Sequence, residues 1–344
     1  MSDKSKVLRN RGRRRFLQGT ALGTVALAAG TVSTAGAGVL SSFVGKTYAA
    51  EPPKKLKMAF VQFLPHTVPA AWSKGIESVL RSQDNIAYEL LDGQSKVEVQ
   101  ISLMDTLINE GVAAIFLQPV DSVAVAPSIA KAKRAGIPVI TLNIDAAEKH
   151  AAHVEMSHFL GAKDIAKEMG ARMGGKGKVA ILNAPPGIVI RDMRTNGFMQ
   201  GLKDYHPGIK VIADQAADWS RKKAQDVLST ILAANPDIAG VYGVNDSMAL
   251  GAVDVAKQKG ILDKLVIFGN DGEKDALESI EKGELTGTQY TDVYQQGRFA
   301  AVAATVLATG GVSARSFTSQ GRVLMPYIIA TKETVGQIRP DQRW

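Results

Sequence analysis

The sequence predicts an α/β protein with two doubly wound parallel-sheet lobes, and three observations support this prediction. Short apolar runs alternate with amphipathic helical patterns along most of the chain, as is typical of parallel sheets covered by helices. The alternation begins again after residue 159, which indicates a second sheet. Polar residues follow many predicted strands at their carboxyl ends, where open α/β sheets bind ligands. No low-complexity linker separates the halves, so we expect several short strands to join them.

The clearest β-α-β unit lies in residues 113–145. Its two strand runs, 113–117 and 137–142, are apolar and bounded by Pro and Gly, which is typical of strands buried on both faces. Between them apolar residues recur at helical spacing from Val125 onward, and Gly136 ends the helix. Because such crossovers are right-handed, both strands deliver their carboxyl ends to the same edge of the sheet.

The other elements of the first half follow the same alternation. The first helix carries Trp72, Ile76 and Val79 along one apolar stripe. Predicted strands cover residues 56–63, 85–91 and 153–156, and predicted helices cover 70–81 and 96–109.

The second half repeats this pattern and ends with a polar tail. An Ala-rich helix over residues 295–309 precedes one last predicted strand over 323–330. The other predicted strands are 178–183, 209–213, 238–242, 265–268 and 285–289, and the other predicted helices are 162–173, 191–204, 220–234, 247–259 and 275–282.

Residues 1–49 are interpreted as a twin-arginine export signal. The run Arg13-Arg14-Arg15-Phe16-Leu17 is followed by an uncharged stretch from Gln18 to Gly45 and by Thr47-Tyr48-Ala49. This order matches a basic region, a weakly apolar segment and a small-residue cleavage site. We expect cleavage after Ala49. A retained membrane anchor is the alternative, since the uncharged stretch is long enough to span a bilayer, although Gly and Ser dilute it.

The charge of the chain gives no support to a nucleic-acid partner. The formal net charge is +8, but eight of the 41 Lys and Arg residues and one of the 33 Asp and Glu residues lie in residues 1–49. The rest of the chain is therefore nearly neutral. There is no cysteine, which excludes disulfides, thiolate catalysis and a lipid-modified cysteine anchor. We expect the exported protein to be free in the periplasm.

Common catalytic signatures are missing from the sequence. It has no Gly-x-Ser-x-Gly elbow and no His-Glu-x-x-His motif. His150, His153, Glu155 and His158 could be metal ligands, but their uneven spacing favours hydrogen-bonded histidines. The sequence Gly175-Lys176-Gly177 precedes a strand, so it indicates a helix end and turn and not a dinucleotide site. We therefore expect no catalytic residues, no metal and no cofactor.

Polar and aromatic side chains at the strand ends of both halves form the candidate ligand site. Two lobes with facing carboxyl edges make a cleft, and flat aromatic surface with planar donors and acceptors suits a neutral polyhydroxylated ligand. Each residue also has a structural explanation: Asn245 and Asp271 could cap helices, Trp219 could be core, and Arg194 could form a surface ion pair. The candidates are Gln62, His66, Gln118, Asn143 and Asp145 from the first half, and Arg194, Trp219, Asn245 and Asp271 from the second.

Five segments, IFLQPVDS, AGIPVITLNID, MRTNGF, VYGVNDSMALGA and FGNDGE, occur in this order behind the export signal. Together they resemble the periplasmic sugar-binding proteins of ribose-type ABC transporters, nearly end to end. The resemblance implies a type I periplasmic binding protein, in which two α/β lobes joined by a three-strand hinge close on one sugar. We accordingly expect residues 50–157 and 292–320 to form the N-terminal lobe, and residues 158–291 and 321–344 the C-terminal lobe.

The resemblance also implies roles for individual residues. Gln118 stands where the family has a ligand-binding Asn after its third strand. Arg194 matches the sugar-binding Arg, and Trp219 matches the stacking aromatic. Asn245 is the Asn of the NDxMALGA motif, and Asp271 is the Asp before Gly.

The chain departs from the ribose-type pattern at several positions. Asn143-Ile144 occupies the place of an Asp-Arg pair in ribose binders, and each charge-assisted hydrogen bond lost is worth about 1.5 to 3 kcal/mol. Gln62 and His66 replace a Ser and an Asn. Thr291, a further candidate contact, replaces a Gln. A different pentose, a hexose or a linear sugar alcohol is therefore favoured over ribose.

We predict an exported receptor that delivers a monosaccharide or sugar alcohol to the membrane permease of an ABC importer, and that acts as a monomer without catalysing a reaction. A sugar-responsive transcription regulator would need a helix-turn-helix in place of residues 1–50. A secreted enzyme would need a nucleophile and a base. A chemoreceptor or signal-ligand carrier would use the same binding chemistry and stays open.

Overall fold

The computed structural model describes residues 55–309 and 321–344, and its strands form two sheets of six strands each. The segment interpreted as an export signal, residues 1–49, lies outside the described residues. Among the described residues, no helix has the length and apolar character needed to cross a membrane.

The first lobe is built on an all-parallel sheet. Its elements are β1 (Leu56–Gln62), α1 (Thr67–Leu80), β2 (Ile86–Asp92), α2 (Val97–Glu110), β3 (Ala114–Leu117), α3 (Ala126–Arg134), β4 (Val139–Leu142), β5 (Ala152–Glu155), α9 (Val293–Ala308) and β11 (Arg322–Leu324). The strand order across the sheet is β2-β1-β3-β4-β5-β11. Both β3 and β4 are buried along their whole length, as their apolar runs predict.

The second lobe repeats this arrangement with one antiparallel edge strand. Its elements are α4 (His158–Arg172), β6 (Lys176–Asn183), α5 (Val189–Tyr205), β7 (Gly208–Ala216), α6 (Arg221–Ala234), β8 (Gly240–Gly243), α7 (Asp246–Gln258), β9 (Val266–Asp271), α8 (Lys274–Glu281), β10 (Gly287–Thr291) and β12 (Tyr327–Thr331). The strand order is β7-β6-β8-β9-β10-β12, and β12 runs antiparallel to β10. The fold is that of a type I periplasmic binding protein, with two doubly wound lobes.

The helix α9 completes the first lobe although it follows the second lobe in sequence. Trp72 on α1 is fully buried, and its indole N–H donates to Oε1 of Gln296 on α9 at 2.8 Å. The two helix backbones approach so closely that a Cβ at Gly75 would lie 2.1 Å from the carbonyl oxygen of Tyr294, and one at Gly297 would lie 2.2 Å from that of Trp72. Glycine is therefore required at both contact points.

The chain crosses between the lobes three times. It passes from β5 to α4, returns from β10 to α9, and passes again from β11 to β12. The three-strand connection implied by the family resemblance is therefore confirmed.

The last crossing corrects the expectation for the C-terminal segment. One strand was expected over residues 323–330, but β11 and β12 are separate strands in different sheets. Pro326 lies between them, and a proline has no N–H with which to continue a strand ladder. Because Arg322 in β11 pairs in register with His153 in β5, the start of the segment 321–344 belongs to the first sheet and not to the C-terminal lobe.

Most other elements begin and end within a few residues of their predicted bounds. The largest shift is at the start of α4, which begins at His158 and not at residue 162, and α1 begins at Thr67 and not at residue 70. The strands β7 and β9 each end three residues later than predicted. In α1 the proline at position 69 lies in the first turn, where its missing N–H would have no helical partner in any case. Gly161 lies in the first turn of α4, so the helix begins before this glycine and not after it.

Candidate functional site

A cleft lies between the carboxyl edges of the two sheets, at the position where doubly wound sheets bind ligands. It encloses about 600 Å³, including the solvent at its mouth. Its walls come from both lobes, and the first lobe contributes the turn after β1 and the ends of β3 and β4. The lining residues are Phe63, Leu64, His66, Val68, Pro69, Gln118, Asn143, Ile144, Ile188, Ile190, Arg194, Trp219, Asn245 and Asp271.

Seven of the ten predicted site residues line this cleft, and three do not. The seven are His66, Gln118, Asn143, Arg194, Trp219, Asn245 and Asp271. The structure therefore brings together residues that are widely separated in the sequence.

The three predicted residues outside the lining have physical reasons for their positions. Gln62 is buried at the end of β1, and the next residue, Phe63, lines the cleft, because adjacent side chains of a strand point in opposite directions. Asp145 turns away and forms an ion pair with Arg322. Thr291 ends β10 in a fully buried position, and its hydroxyl has no hydrogen-bond partner among the described residues.

The central feature of the second-lobe wall is a buried ion pair between Arg194 and Asp271. Nη2 of Arg194 donates to Oδ1 of Asp271, and Nη1 donates to the carbonyl oxygen of Val244 at 2.5 Å. Both side chains are almost inaccessible, with 3% and 7% of their surface exposed. Burial raises the pKa of the Asp271 carboxyl, and the charge and hydrogen bond of Arg194 oppose that rise. The guanidinium is held in a fixed orientation, ready to donate to a ligand.

His158 holds the other side of this guanidinium. Nε of Arg194 donates to Nδ1 of His158 at 3.2 Å. Burial, followed by the charge of Arg194, lowers the pKa of His158 well below its usual value, so the imidazole is neutral and its Nδ1 can accept. From the sequence, His158 was a possible but disfavoured metal ligand, whereas in the structure it positions Arg194.

Trp219 and Asn245 also line the second-lobe wall of the cleft. The backbone of Trp219 is left-handed, with φ of 60°, and its partly buried side chain packs against the second-lobe core. Oδ1 of Asn245 accepts from the backbone N–H of Met248 at 2.9 Å, so the residue caps α7 as well as lining the cleft. Asp271 also has a positive φ, of 121°. Strained backbone of this kind concentrates at ligand sites.

The amides of the first-lobe wall are held by their neighbours. Oε1 of Gln118 accepts from the backbone N–H of Phe63 at 3.2 Å, and the carbonyl oxygen of Gln118 accepts from Nε2 of Gln100 at 2.7 Å. Oδ1 of Asn143 accepts from the N–H of Met156 at 3.0 Å and from Nε2 of Gln296 at 2.9 Å. The oxygen of Asn143 is thus engaged by protein donors, and the residue mainly fixes the end of β4.

One contact crosses the cleft directly from the first lobe to the second. Thr67 Oγ1 donates to Oε1 of Glu273 at 2.8 Å, and Nδ1 of the neighbouring His66 lies 3.0 Å from the same hydroxyl. Burial raises the pKa of Glu273 to about 7, and the nearby charge of Asp271 adds to this. Burial also lowers the pKa of His66, against the opposing effect of Asp271. Glu273, the last residue of the FGNDGE segment, was not among the predicted site residues.

The apolar part of the lining was missed from the sequence, since the search concentrated on polar residues. Apolar side chains in the turn after β1 were the available signal, because a surface turn has little reason to contain Phe63 and Leu64. Ile188 and Ile190 supply the equivalent surface in the second lobe, at the start of α5.

The fold and the cleft define a two-lobed solute-binding protein, and comparison with known proteins agrees. The family model for a periplasmic binding protein domain matches residues 60–311. The chain belongs to the periplasmic binding protein family, and within it to the ribose-binding type.

Individual relatives give the same classification. The chain is 30% identical over 311 residues to a xylitol-binding protein of Mycolicibacterium smegmatis, covering 89% of this chain and 86% of that protein. It is 32% identical over 216 residues to the ribose import binding protein of Bacillus subtilis, covering 62% and 69%. A crystal structure of a periplasmic solute-binding protein from Actinobacillus succinogenes with bound D-allose superposes with a TM-score of 0.76 at 27% identity, covering 82% of this chain and 100% of that one.

Proposed function

We propose that this protein is an exported receptor that binds one monosaccharide or sugar alcohol and delivers it to the membrane permease of an ABC importer. The observation that carries the proposal is the composition of the cleft. A buried Arg194–Asp271 pair, an indole at Trp219 and several amides converge on one space between two lobes. The protein acts by binding alone and catalyses no reaction.

The charges of the cleft favour a neutral ligand. Arg194 and Asp271 already neutralise each other, so an ionised ligand would leave one buried charge without a partner, which is costly. Arg194 can donate a hydrogen bond to one ligand hydroxyl while Asp271 accepts from the adjacent one, because a hydroxyl group can both donate and accept. An indole covers the C–H face of a sugar ring or alditol chain. Xylitol, ribose and D-allose, named for the relatives above, are all neutral polyhydroxylated molecules.

The first-lobe wall argues against ribose as the preferred ligand. Where ribose binders carry an Asp-Arg pair, this chain presents Asn143, whose oxygen is engaged by protein donors, and the buried apolar side chain of Ile144. Fewer charge-assisted hydrogen bonds are then available to the ligand. A different pentose, a hexose or a linear alditol with a less polar face fits this wall better.

Closure of the lobes couples ligand binding to delivery. The Thr67–Glu273 hydrogen bond joins the two sides of the cleft, and three chain crossings form the hinge. A ligand that contacts both walls stabilises the closed form in proportion to its differential affinity. The permease would then recognise the closed protein. A chemoreceptor or signal-ligand carrier would use the same closure, and a sugar-responsive regulator is less consistent with the family.

A thermal-shift screen of the purified protein tests the ligand class. The panel contains pentoses, hexoses and four- to six-carbon alditols, with a sugar acid as the charged control. A ligand present at about 100 times its Kd should raise the free energy of unfolding by roughly 2.7 kcal/mol, and ribose should give a smaller shift than the best ligand. If no neutral sugar or alditol shifts the transition, or if only the acid does, the proposed ligand class is wrong. Recovery of the bound ligand unchanged after prolonged incubation tests the absence of catalysis.

Export and oligomeric state have separate tests. Cell fractionation should place the protein in the periplasm. A variant in which Lys replaces all three of Arg13, Arg14 and Arg15 should stay in the cytoplasm. Sedimentation should give the mass of a monomer with and without ligand.

A further inference from the structure

A second group of titratable side chains lies in the first lobe, outside the ligand cleft. Asp145, His150 and His153 each present one ligand atom, and these three atoms lie within 4.8 Å of one another. None of the three lines the cleft. His153 lies in β5 beside β11, and Asp145 and His150 lie in the segment that joins β4 to β5. The sequence spacing of the histidines gave no sign of this convergence.

The hydrogen bonds of both imidazoles determine which nitrogen carries the proton. Nδ1 of His150 lies 2.8 Å from the carbonyl oxygen of Glu148, and Nε2 of His153 lies 3.1 Å from a carboxylate oxygen of Glu155. A carbonyl oxygen only accepts, and Glu155 is also bound by Arg322 at 2.6 Å, as expected for a carboxylate. The outer nitrogens therefore donate. The inner nitrogens, Nε2 of His150 and Nδ1 of His153, carry lone pairs in the neutral rings.

These two lone pairs point at the same hydroxyl group. Oγ1 of Thr141 lies 2.8 Å from Nε2 of His150 and 2.7 Å from Nδ1 of His153. A hydroxyl has one hydrogen and can donate to only one of them. Oδ1 of Asp145, another electron-pair donor, lies 3.3 Å from the His150 nitrogen and 4.0 Å from the His153 nitrogen. The cluster therefore has more lone pairs than hydrogens to share among them.

From this arrangement we infer a binding site for a divalent transition-metal ion of the Zn²⁺ class, with Asp145, His150 and His153 as protein ligands. Two imidazoles and one carboxylate are a common ligand set for such an ion, and a water molecule would complete a tetrahedron. With metal–ligand bonds of about 2.0 Å, tetrahedral ligand atoms lie roughly 3.3 Å apart. The observed separations are 3.3 and 4.0 Å from Asp145 to the two imidazoles, and the imidazole nitrogens lie within 4.8 Å of each other, so the side chains must draw closer around the ion.

The surroundings of the cluster meet two further requirements of a metal site. Each imidazole donates its outer N–H to a carbonyl or carboxylate oxygen, which is the arrangement that orients metal-bound histidines in proteins. A solvent-open cavity of about 590 Å³ adjoins the cluster and gives an ion access to it.

The positive charge nearest to the cluster leaves the proposed ligand atom available. Arg322 binds Asp145 through Oδ2, whereas Oδ1 faces the histidines. That Oδ1 accepts one hydrogen bond, from the backbone N–H of Ala146 at 2.9 Å, and retains a lone pair for an ion. Glu155 balances the charge of Arg322, so Asp145 and two neutral imidazoles form a set with net negative charge.

Direct metal titration of the purified, tag-free and chelator-stripped protein tests this inference. Isothermal titration with Zn²⁺ should show one ion bound per chain. Titration with Co²⁺ should give the intense visible absorption of a four-coordinate nitrogen and oxygen site. His150→Gln and Asp145→Asn should each weaken Zn²⁺ binding at least tenfold.

His206→Gln is the matched control, because it removes an imidazole that bonds to the carbonyl oxygen of Lys167 in the second lobe. It should bind Zn²⁺ as tightly as the unmodified protein. The side chain of His150 is only 9% exposed, so thermal unfolding must show that the His150→Gln protein is folded. Absence of stoichiometric Zn²⁺ binding would overturn the inference. Equal Zn²⁺ affinity in the unmodified protein and in all three variants would assign the binding to unrelated surface groups.

Discussion

The two lobes have the same strand order but present different chemistry to the cleft. The second lobe contributes the buried Arg194–Asp271 pair and the indole of Trp219. Among the residues that the structure describes, the first lobe contributes no ion pair to the cleft, and its wall consists of apolar side chains, His66 and amides held by protein donors. One lobe therefore supplies the strong directional bonds and the other supplies shape.

This division suggests how the protein can discriminate among neutral sugars. Under the proposed function, the fixed guanidinium and carboxylate would hold adjacent hydroxyl groups of a polyhydroxylated ligand. The first-lobe wall, which presents Ile144, would then select by fit and by the cost of burying unpaired hydroxyl groups. Changes in the second lobe should reduce affinity for every ligand, and changes in the first should mainly alter ligand preference.

The largest effect is expected from Arg194→Ala in the second lobe. It removes several charged hydrogen bonds and leaves Asp271 buried without its partner, so affinity for the best ligand should fall about a hundredfold or more, or roughly 3 kcal/mol. Calorimetry measures this loss. Arg221→Ala is the matched control, because Arg221 pairs with Asp254 at the surface. Retained affinity in Arg194→Ala would show that the second lobe does not supply the directional bonds.

The next effect concerns the contact that joins the two lobes. The pKa of Glu273 is raised from 4.5 to about 7 by burial and by Asp271. Between these values the folded protein holds a proton that the unfolded chain has released, so the free energy of unfolding should fall as pH rises, by an amount on the order of 1–3 kcal/mol. Glu273→Gln keeps an acceptor for Thr67 without the charge, and should be stabilised relative to the unmodified protein above pH 7.

Urea unfolding at pH 5 and pH 8 measures this difference. Glu278→Gln, in the helix α8 that directly follows Glu273 but without the contact to Thr67, should retain the pH dependence of the unmodified protein. If the free energy of unfolding of Glu273→Gln depends on pH as it does in the unmodified protein, ionisation of Glu273 does not destabilise the contact between the lobes.

Much of the fold could be predicted from the sequence because its signals are local. The apolar runs of β3 and β4 and the helix between them follow directly from burial on both faces and from helical spacing. The break at Pro326 was missed, since the apolar runs on both sides of it resembled one continuous strand. Proline was the local signal that should have divided it.

The candidate site was less accessible to sequence reasoning because its geometry is not local. Strand ends predicted Arg194, Asn245 and Asp271 on one edge, but only the fold brings Thr67 to Glu273. His150 and His153 were judged as metal ligands by their spacing along the chain, and Asp145 was expected in the cleft, although the fold brings all three together. The sequence thus predicted which residues lie at the edge of the sheet, but not which side chains they meet in the folded protein.

Truncation of Trp219 should have a smaller effect than loss of Arg194. Trp219→Ala removes the flat apolar surface against which a sugar face would pack, so affinity should fall about tenfold or more. Trp219→Phe keeps an aromatic ring and should recover most of the loss. The quenching of tryptophan fluorescence by ligand should also decrease in both variants. Unchanged affinity in Trp219→Ala would mean that the residue serves only the second-lobe core that it also contacts.

The smallest effect is expected in the first lobe, where Ile144→Val removes one methylene from a side chain that is 5% exposed. Burial of one methylene is worth about 0.8 kcal/mol, so affinity for a ligand that touches this wall should fall roughly fourfold. The order of preference among pentoses, hexoses and alditols should change more than the affinity for the best ligand, because this wall contributes shape. Calorimetric titration of the variant with one ligand of each class measures both quantities. A loss approaching that of Arg194→Ala would show that the first lobe contributes as much binding energy as the second.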